Sequence, residues 1–211
     1  MEVKQNNLIK SLRIQPLIIV IRLEHNFFNL SQKKENLLFK IEKLTNFGIK
    51  NIEIGWDSNP EWVNLILEIK KKFKSINIGV ASISSRQSLE TILSLDLNYS
   101  MSPFFNKEIH ITAIKYNQLV IPGISNIENF KEAINLGYKI IKIFPASKLG
   151  INFLNELQEL KTKNTFFIGA GGIKSKSLKK LLKSGYDALV IGRELRNQKP
   201  DKDLEIWLKD Y

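Results

Sequence analysis

Eight short apolar runs, each followed by a stretch with helical periodicity, divide this chain into similar units. The runs cover residues 17–21, 51–55, 76–80, 97–101, 118–122, 139–144, 165–168 and 187–191, starting about 20 to 35 residues apart. Strands that alternate with helices predict βαβ units and a parallel sheet, because a parallel neighbour can be reached only by a crossover. Eight such units predict a closed α/β fold, the (β/α)8 TIM barrel. The 211 residues are short for that type, which typically has about 250. A doubly wound open sheet is the competing architecture, but no Gly-x-Gly-x-x-Gly follows the first run.

Residues 5–13 precede the first run and read as a short N-terminal helix closing the barrel bottom. Helix starts are expected at Asn59-Pro60, with a capping residue before a proline, and at two capping boxes, Ser84-x-x-Gln87 and Ser125-x-x-Glu128. In residues 87–95, Leu89, Ile92 and Leu93 recur at helical spacing and predict a stripe facing the sheet. Nothing reads as a linker, a low-complexity block or a second domain, so one barrel domain over residues 1–211 is expected.

Composition excludes several kinds of chemistry. There is no cysteine, hence no disulfide framework and no thiolate ligand or nucleophile. The two histidines, His25 and His110, lack zinc-site spacing, and no metal is expected. No apolar run approaches the roughly 20 residues of a membrane span. The N-terminus has an acidic residue at once and no small-residue cleavage site, so a cytoplasmic protein without a signal peptide is expected. The net charge of +11 raises the question of nucleic acid. The lysines, however, fall mainly in helical stretches such as 70–74 and 174–183, without an aromatic-plus-basic RNA motif or a helix-turn-helix pattern. A solvated basic face is expected, one that also attracts phosphates and carboxylates.

The segment 139–146, KIIKIFPA, carries the sharpest chemical signal. Alternation puts Ile140, Lys142 and Phe144 on one face and Ile141 and Ile143 on the other. Lys139 starts the strand and can reach water; Lys142 cannot. Lysine is rarely fully buried without a partner or a task. An apolar setting disfavours its charged form, which turns the amine into a nucleophile for carbonyl carbon. In NIEIG, Ile52 and Ile54 take one face, so Glu53 and Gly55 take the other; if the isoleucines pack against the helices, Glu53 points into the barrel. A buried acid and a buried lysine form either a structural ion pair or a nucleophile with its proton shuttle. The second is preferred, because burying such a pair rarely adds stability. After the seventh run come Gly169, Gly171 and Gly172, and after the eighth Gly192 and Arg193. Glycine turns at these two places suit a phosphate cup, to which Arg193 adds a cation.

Taken together, these residues resemble the class I aldolases that cleave 2-keto-3-deoxy-6-phosphogluconate (KDPG) and 4-hydroxy-2-oxoglutarate (KHG). The likeness runs from PLIIVIRLEH at 16–25 to VIGRE at 190–194. Its most specific pieces are EIG of strand two, Ser102-Pro103, PGIS at 122–125, IKIFPA, and GGI at 171–173. The resemblance implies a lyase in which Lys142 forms an imine with pyruvate or the keto acid and Glu53 moves the protons. It implies neither cofactor nor metal, a phosphate cup on Gly171, Gly172 and the turn at Gly192, Arg193 and Glu194, and a homotrimer. Ser82, Pro103 and Phe144 are the further expected substrate contacts.

The chain also departs from the family pattern. Asp57 stands where the family usually has an arginine that grips the substrate carboxylate, and an aspartate there repels it. Ser82 replaces a threonine and keeps the hydroxyl. Glu194 replaces the phosphate-turn serine. Arg22, at the end of strand one, is the candidate replacement carboxylate clamp. The alternatives are an aldolase with an altered keto-acid substrate, a non-catalytic barrel binding a phosphometabolite or a partner protein, and, on charge alone, a nucleic-acid binder.

Overall fold

The computed structural model describes residues 1–23, 30–192 and 201–209, with the side chains of the second helix from residue 34 on. Strand and helix alternate as α1 (Glu2–Ile14), β1 (Leu17–Ile21), α2 (Leu30–Asn46), β2 (Asn51–Gly55), α3 (Glu61–Lys72), β3 (Asn77–Ala81), α4 (Arg86–Leu93) and β4 (Tyr99–Met101). They continue as α5 (Lys107–Lys115), β5 (Val120–Ile121), β6 (Gly123–Ile124), α6 (Ile127–Asn135), β7 (Ile140–Ile143), α7 (Ala146–Leu160), β8 (Phe166–Ala170), α8 (Leu178–Lys183), β9 (Ala188–Ile191) and α9 (Lys202–Leu208). A 3-10 turn, Ser175–Ser177, precedes α8.

All pairings are parallel, in the order β5-β4-β3-β2-β1-β9-β8-β7-β6. The two ends of that order, β5 and β6, are separated in sequence only by Pro122. The sheet thus curls round on itself into a nearly closed TIM-like barrel, as the repeat predicts. The expected fifth strand is two: proline has no N–H to give to a ladder, so the strand breaks there. The first half pairs with β4 and the second with β7. Pro122 still accepts at its carbonyl, from the Lys142 N–H at 2.9 Å.

The strands are apolar on both faces because helices cover the sheet and side chains fill the barrel. All five residues of β2 and of β8 are buried. On the helix side Trp62, Ile66 and Ile69 of α3 and Leu154 and Leu157 of α7 are buried. Trp62 also donates its indole N–H to the Gly55 carbonyl at 3.0 Å.

The N-terminal helix closes the bottom as expected, and spans more than residues 5–13. Leu8, Ile9 and Leu12 enter the core while its polar side chains cap strand starts. Gln5 accepts from Lys139 N at 2.7 Å and donates to Gly137 O at 3.2 Å. Ser11 donates to Asn51 Oδ1 at 2.9 Å, and Gln15 accepts from Lys50 N at 2.8 Å.

Two helix starts differ from expectation by one residue. The capping box is Ser85 with Ser88, not Ser84 with Gln87, and α6 is capped by Asn126 rather than Ser125. At the third, α3 begins at Glu61 with Pro60 rather than Asn59 in the cap position, while the Asn59 side chain accepts from Glu61 N at 2.9 Å.

Candidate active site

Lys142 and Glu53 come from opposite arcs of the barrel and both end in its interior. Lys142 lies between Gly123 of β6 and Ile168 of β8 and is 7% exposed; Glu53 lies between Val20 of β1 and Gly79 of β3 and is 2% exposed. Each ionisable group feels the other. Burial pushes the Glu53 carboxyl up to about 7, against the smaller downward pull of Lys142 and then Arg22. Burial likewise pulls the Lys142 amine down to about 8, against Glu53, while Arg22 pulls it further down. An acid that titrates near neutrality beside an amine easily freed of its proton can perform proton transfer and nucleophilic attack in one place.

Gly123, the β6 neighbour of Lys142, lets the broken strand lie directly against the Ser102-Pro103 segment. A Cβ there would meet the Pro103 carbonyl oxygen at 2.5 Å and the Ser102 carbonyl at 2.6 Å. Ser102 holds this seam: its hydroxyl accepts from Gly123 N at 3.2 Å and donates to Ile121 O at 3.2 Å. Behind it stands His110 of α5, 0% exposed, with Nε2 3.3 Å from Ser102 Oγ and Nδ1 3.0 Å from the Tyr138 hydroxyl. The ring stacks on Phe105. The spacing of His110 in the sequence bears only on zinc and gives no sign of this support; the neighbouring Ser102-Pro103 pair is the available signal.

Arg22 follows β1, leans over Gly55, and donates from Nη1 to Ser82 Oγ at 3.0 Å. Ser82 has φ 71°, a left-handed conformation that costs a non-glycine residue about 1–3 kcal/mol. Nothing in GVAS signals this conformation. It leaves the hydroxyl against the guanidinium, so the two expected contacts form one polar rim. Asp57 folds back instead, its Oδ1 accepting from Asn59 N at 2.8 Å in the turn that enters α3.

On the other side Phe144 places its ring 5.3 Å from Lys142 Nζ. A Cβ on Gly171 would lie 2.8 Å from that ring. Gly171 and Gly172 both have left-handed φ, 89° and 75°, which glycine adopts without penalty. The Gly171 carbonyl accepts from Ser147 N at 3.1 Å, tying the turn after β8 to the start of α7. Gly192 packs on Val20, whose Cγ1 would lie 2.5 Å from an added Cβ. Arg193 and Glu194, expected in the phosphate cup, lie outside the described residues. Among the described residues no group of three or more His, Asp or Glu is arranged to hold a metal ion, and no helix is long and apolar enough to cross a membrane.

The family model described as KDPG and KHG aldolase matches residues 8–205. The chain belongs to this family. It is therefore a lyase-family enzyme, as the resemblance predicts. Over 150 residues it is 22% identical to the 2-dehydro-3-deoxy-6-phosphogalactonate aldolase of Escherichia coli K12, spanning 70% of this chain and 72% of that one. Two solved structures share the fold. The 2-keto-3-deoxy-6-phosphogluconate aldolase of Zymomonas mobilis ZM4 with 3-phosphoglycerate superposes with TM-score 0.77 at 20% identity, over 96% of this chain and 93% of that one. The KDPG aldolase of Legionella pneumophila, with pyruvate captured at low pH as a covalent carbinolamine intermediate, gives 0.73 at 21% identity, over 92% and 91%.

Proposed function

We propose that this KDPG/KHG family member is a class I, Schiff-base aldolase that releases pyruvate through an imine on Lys142. The observation that carries this is the pairing of a dry lysine with a dry carboxyl, each shifted toward neutrality. The neutral amine adds to the C2 carbonyl of the keto acid to give a carbinolamine, and loss of water leaves an iminium ion. The C3–C4 bond then breaks: the C4 hydroxyl proton passes to Glu53, the aldehyde leaves, and the bonding pair becomes the enamine. Protonation of C3 by Glu53 and hydrolysis return pyruvate and the free amine. The iminium is itself the electron sink, so the reading needs neither metal nor cofactor. A carbinolamine captured in the Legionella pneumophila aldolase supports the same first step here.

The proposed substrates are KDPG, giving pyruvate and glyceraldehyde 3-phosphate, and 4-hydroxy-2-oxoglutarate, giving pyruvate and glyoxylate. Arg22 with Ser82 is the proposed carboxylate clamp. Pro103 and Phe144 line the keto-acid site, and Gly171, Gly172, Gly192 and Arg193 form the phosphate cup. A single domain, a cytoplasmic location and a homotrimer complete the reading. A second reading, an unphosphorylated or differently charged keto acid on the same amine, is favoured by Asp57, which serves a turn where the family's arginine grips the substrate.

Borohydride reduction with pyruvate, followed by mass spectrometry of the strand-seven peptide, tests the proposal. A reduced adduct on Lys142, absent in Lys142→Ala, is the expected outcome. No adduct at saturating pyruvate would overturn the aldolase reading and favour a binding barrel. Loss of pyruvate affinity in Arg22→Ala is the expected sign of the clamp; unchanged affinity removes it.

A further inference from the structure

Four neighbouring strands carry Val20, Glu53, Gly79 and Tyr99 along one hydrogen-bonded row. Gly79 stands between the acid and the phenol. A Cβ on it would collide with the far end of the Tyr99 ring, with Cε2 at 2.5 Å and Cε1 at 2.9 Å. The atoms that meet it are those next to the hydroxyl, so the ring has crossed over β3 toward β2. Tyr99 is 0% exposed, and its hydroxyl has no hydrogen-bond partner; neither has Glu53 Oε1, also fully buried. A buried polar atom left unpaired costs about 1–3 kcal/mol. Two such atoms, one donor and one acceptor, extend from the same row of the barrel.

We propose that Tyr99 is a positioning residue for Glu53: its hydroxyl, admitted across Gly79, donates to carboxylate Oε1 and orients the acid beneath the substrate. The terminal torsion of a glutamate is soft and the phenol hydrogen turns freely, so the bond forms by small rotations. The donor is present throughout the working pH range. Burial, and then the Glu53 charge, push the phenol well above its usual value, so it keeps its proton. The other charged groups acting on Glu53 are Lys142 from β7 and Arg22 from the end of β1. Tyr99 differs from both in supplying a donor without a charge, which aims the carboxyl through one directed bond.

The role in catalysis rests on the aldolase reading, whereas the effect on Glu53 is measurable without it. Carbon-13 NMR of protein labelled at glutamate carboxyls, with Glu53→Gln for assignment, follows the ionisation directly. In Tyr99→Phe the Glu53 acid constant is expected to weaken about tenfold, because a hydrogen bond to the charged form is lost. An unchanged titration overturns the proposal. Should the phenylalanine variant not fold, 3-fluorotyrosine at position 99 replaces it. Its fluorine resonance is expected to titrate with Glu53 and to become pH-silent in Glu53→Gln; silence in the parent protein overturns the proposal. With pyruvate, Tyr99→Phe is expected to keep the borohydride adduct on Lys142 while methyl-proton exchange slows roughly tenfold with little change in KM. If the parent forms no adduct but the Glu53 shift is seen, the aldolase reading fails and the positioning role stands.

Discussion

His110 contacts polar groups with both ring nitrogens, Ser102 on one side and Tyr138 on the other, inside a shell that water does not reach. Burial, the main cause, pulls its pKa down to about 4, opposed by the Val120 carbonyl and assisted by Lys142. Between pH 6.5 and about 4 the unfolded chain takes up a proton that the folded one refuses, so stability falls as pH falls through that window, by up to about 3 kcal/mol. Glu53 acts in the opposite sense. Its raised pKa means the folded chain binds the proton first, between about 7 and 4.5, which stabilises it as pH falls. Urea unfolding of His110→Gln beside the parent at pH 7, 5.5 and 4.5 separates the two. The variant is expected to be less stable at pH 7 by about 1–2 kcal/mol, with the gap closing on acidification; a constant gap would show that the ring is not held neutral. Lys142 and Glu53 were legible in the sequence because each is an ionisable residue inside an apolar strand, set by alternation on the face opposite its flanking isoleucines. His110 was not, since its partner Tyr138 lies 28 residues away and only the closed barrel brings them together. Tyr99 was not, because its direction matters only once Gly79 is known to lie beneath it.

Elements were easier to find than their ends. Runs 17–21 and 51–55 agree with β1 and β2, while most others differ by one or two residues. The segment Ser82-Ile-Ser84-Ser85 offers three possible caps, and local chemistry hardly separates them. Packing does: Leu89 and Ile92 must face the sheet, and that phase brings the Ser85 side chain to Ser88 N at 3.1 Å. Ser88 returns the bond to Ser85 N at 3.0 Å and also receives Ser84 N at 3.1 Å. Ser85→Ala is expected to cost about 1 kcal/mol and Ser84→Ala a few tenths. Equal losses in thermal unfolding would move the helix start back to the sequence-based position. The split fifth strand has a similar origin: a proline at 122 marks a strand end in the sequence, but the chain resumes as β6, which pairs with β7.

At the scale of the whole molecule the repeat predicts a barrel and residues 5–13 a helix closing its bottom, but the side chains that brace this helix are not legible in the sequence. Gln5 is the main seal, 1% exposed and bonded to the backbone at Gly137 and Lys139. Gln5→Ala takes the side-chain partner away from the part-buried Gly137 carbonyl and Lys139 N–H. An expected loss of about 2 kcal/mol lowers Tm by roughly 4–8 °C in a chain of this size. A shift below about 1 °C would show that α1 covers the barrel without bracing it. The seal also sets an order of events during synthesis. The helix leaves the ribosome before the strands it seals, and the backbone that Gln5 grips comes about 130 residues later. Until then the helix has only earlier partners such as Lys50 and Asn51, and the floor beneath its apolar stripe of Leu8, Ile9 and Leu12 stays incomplete.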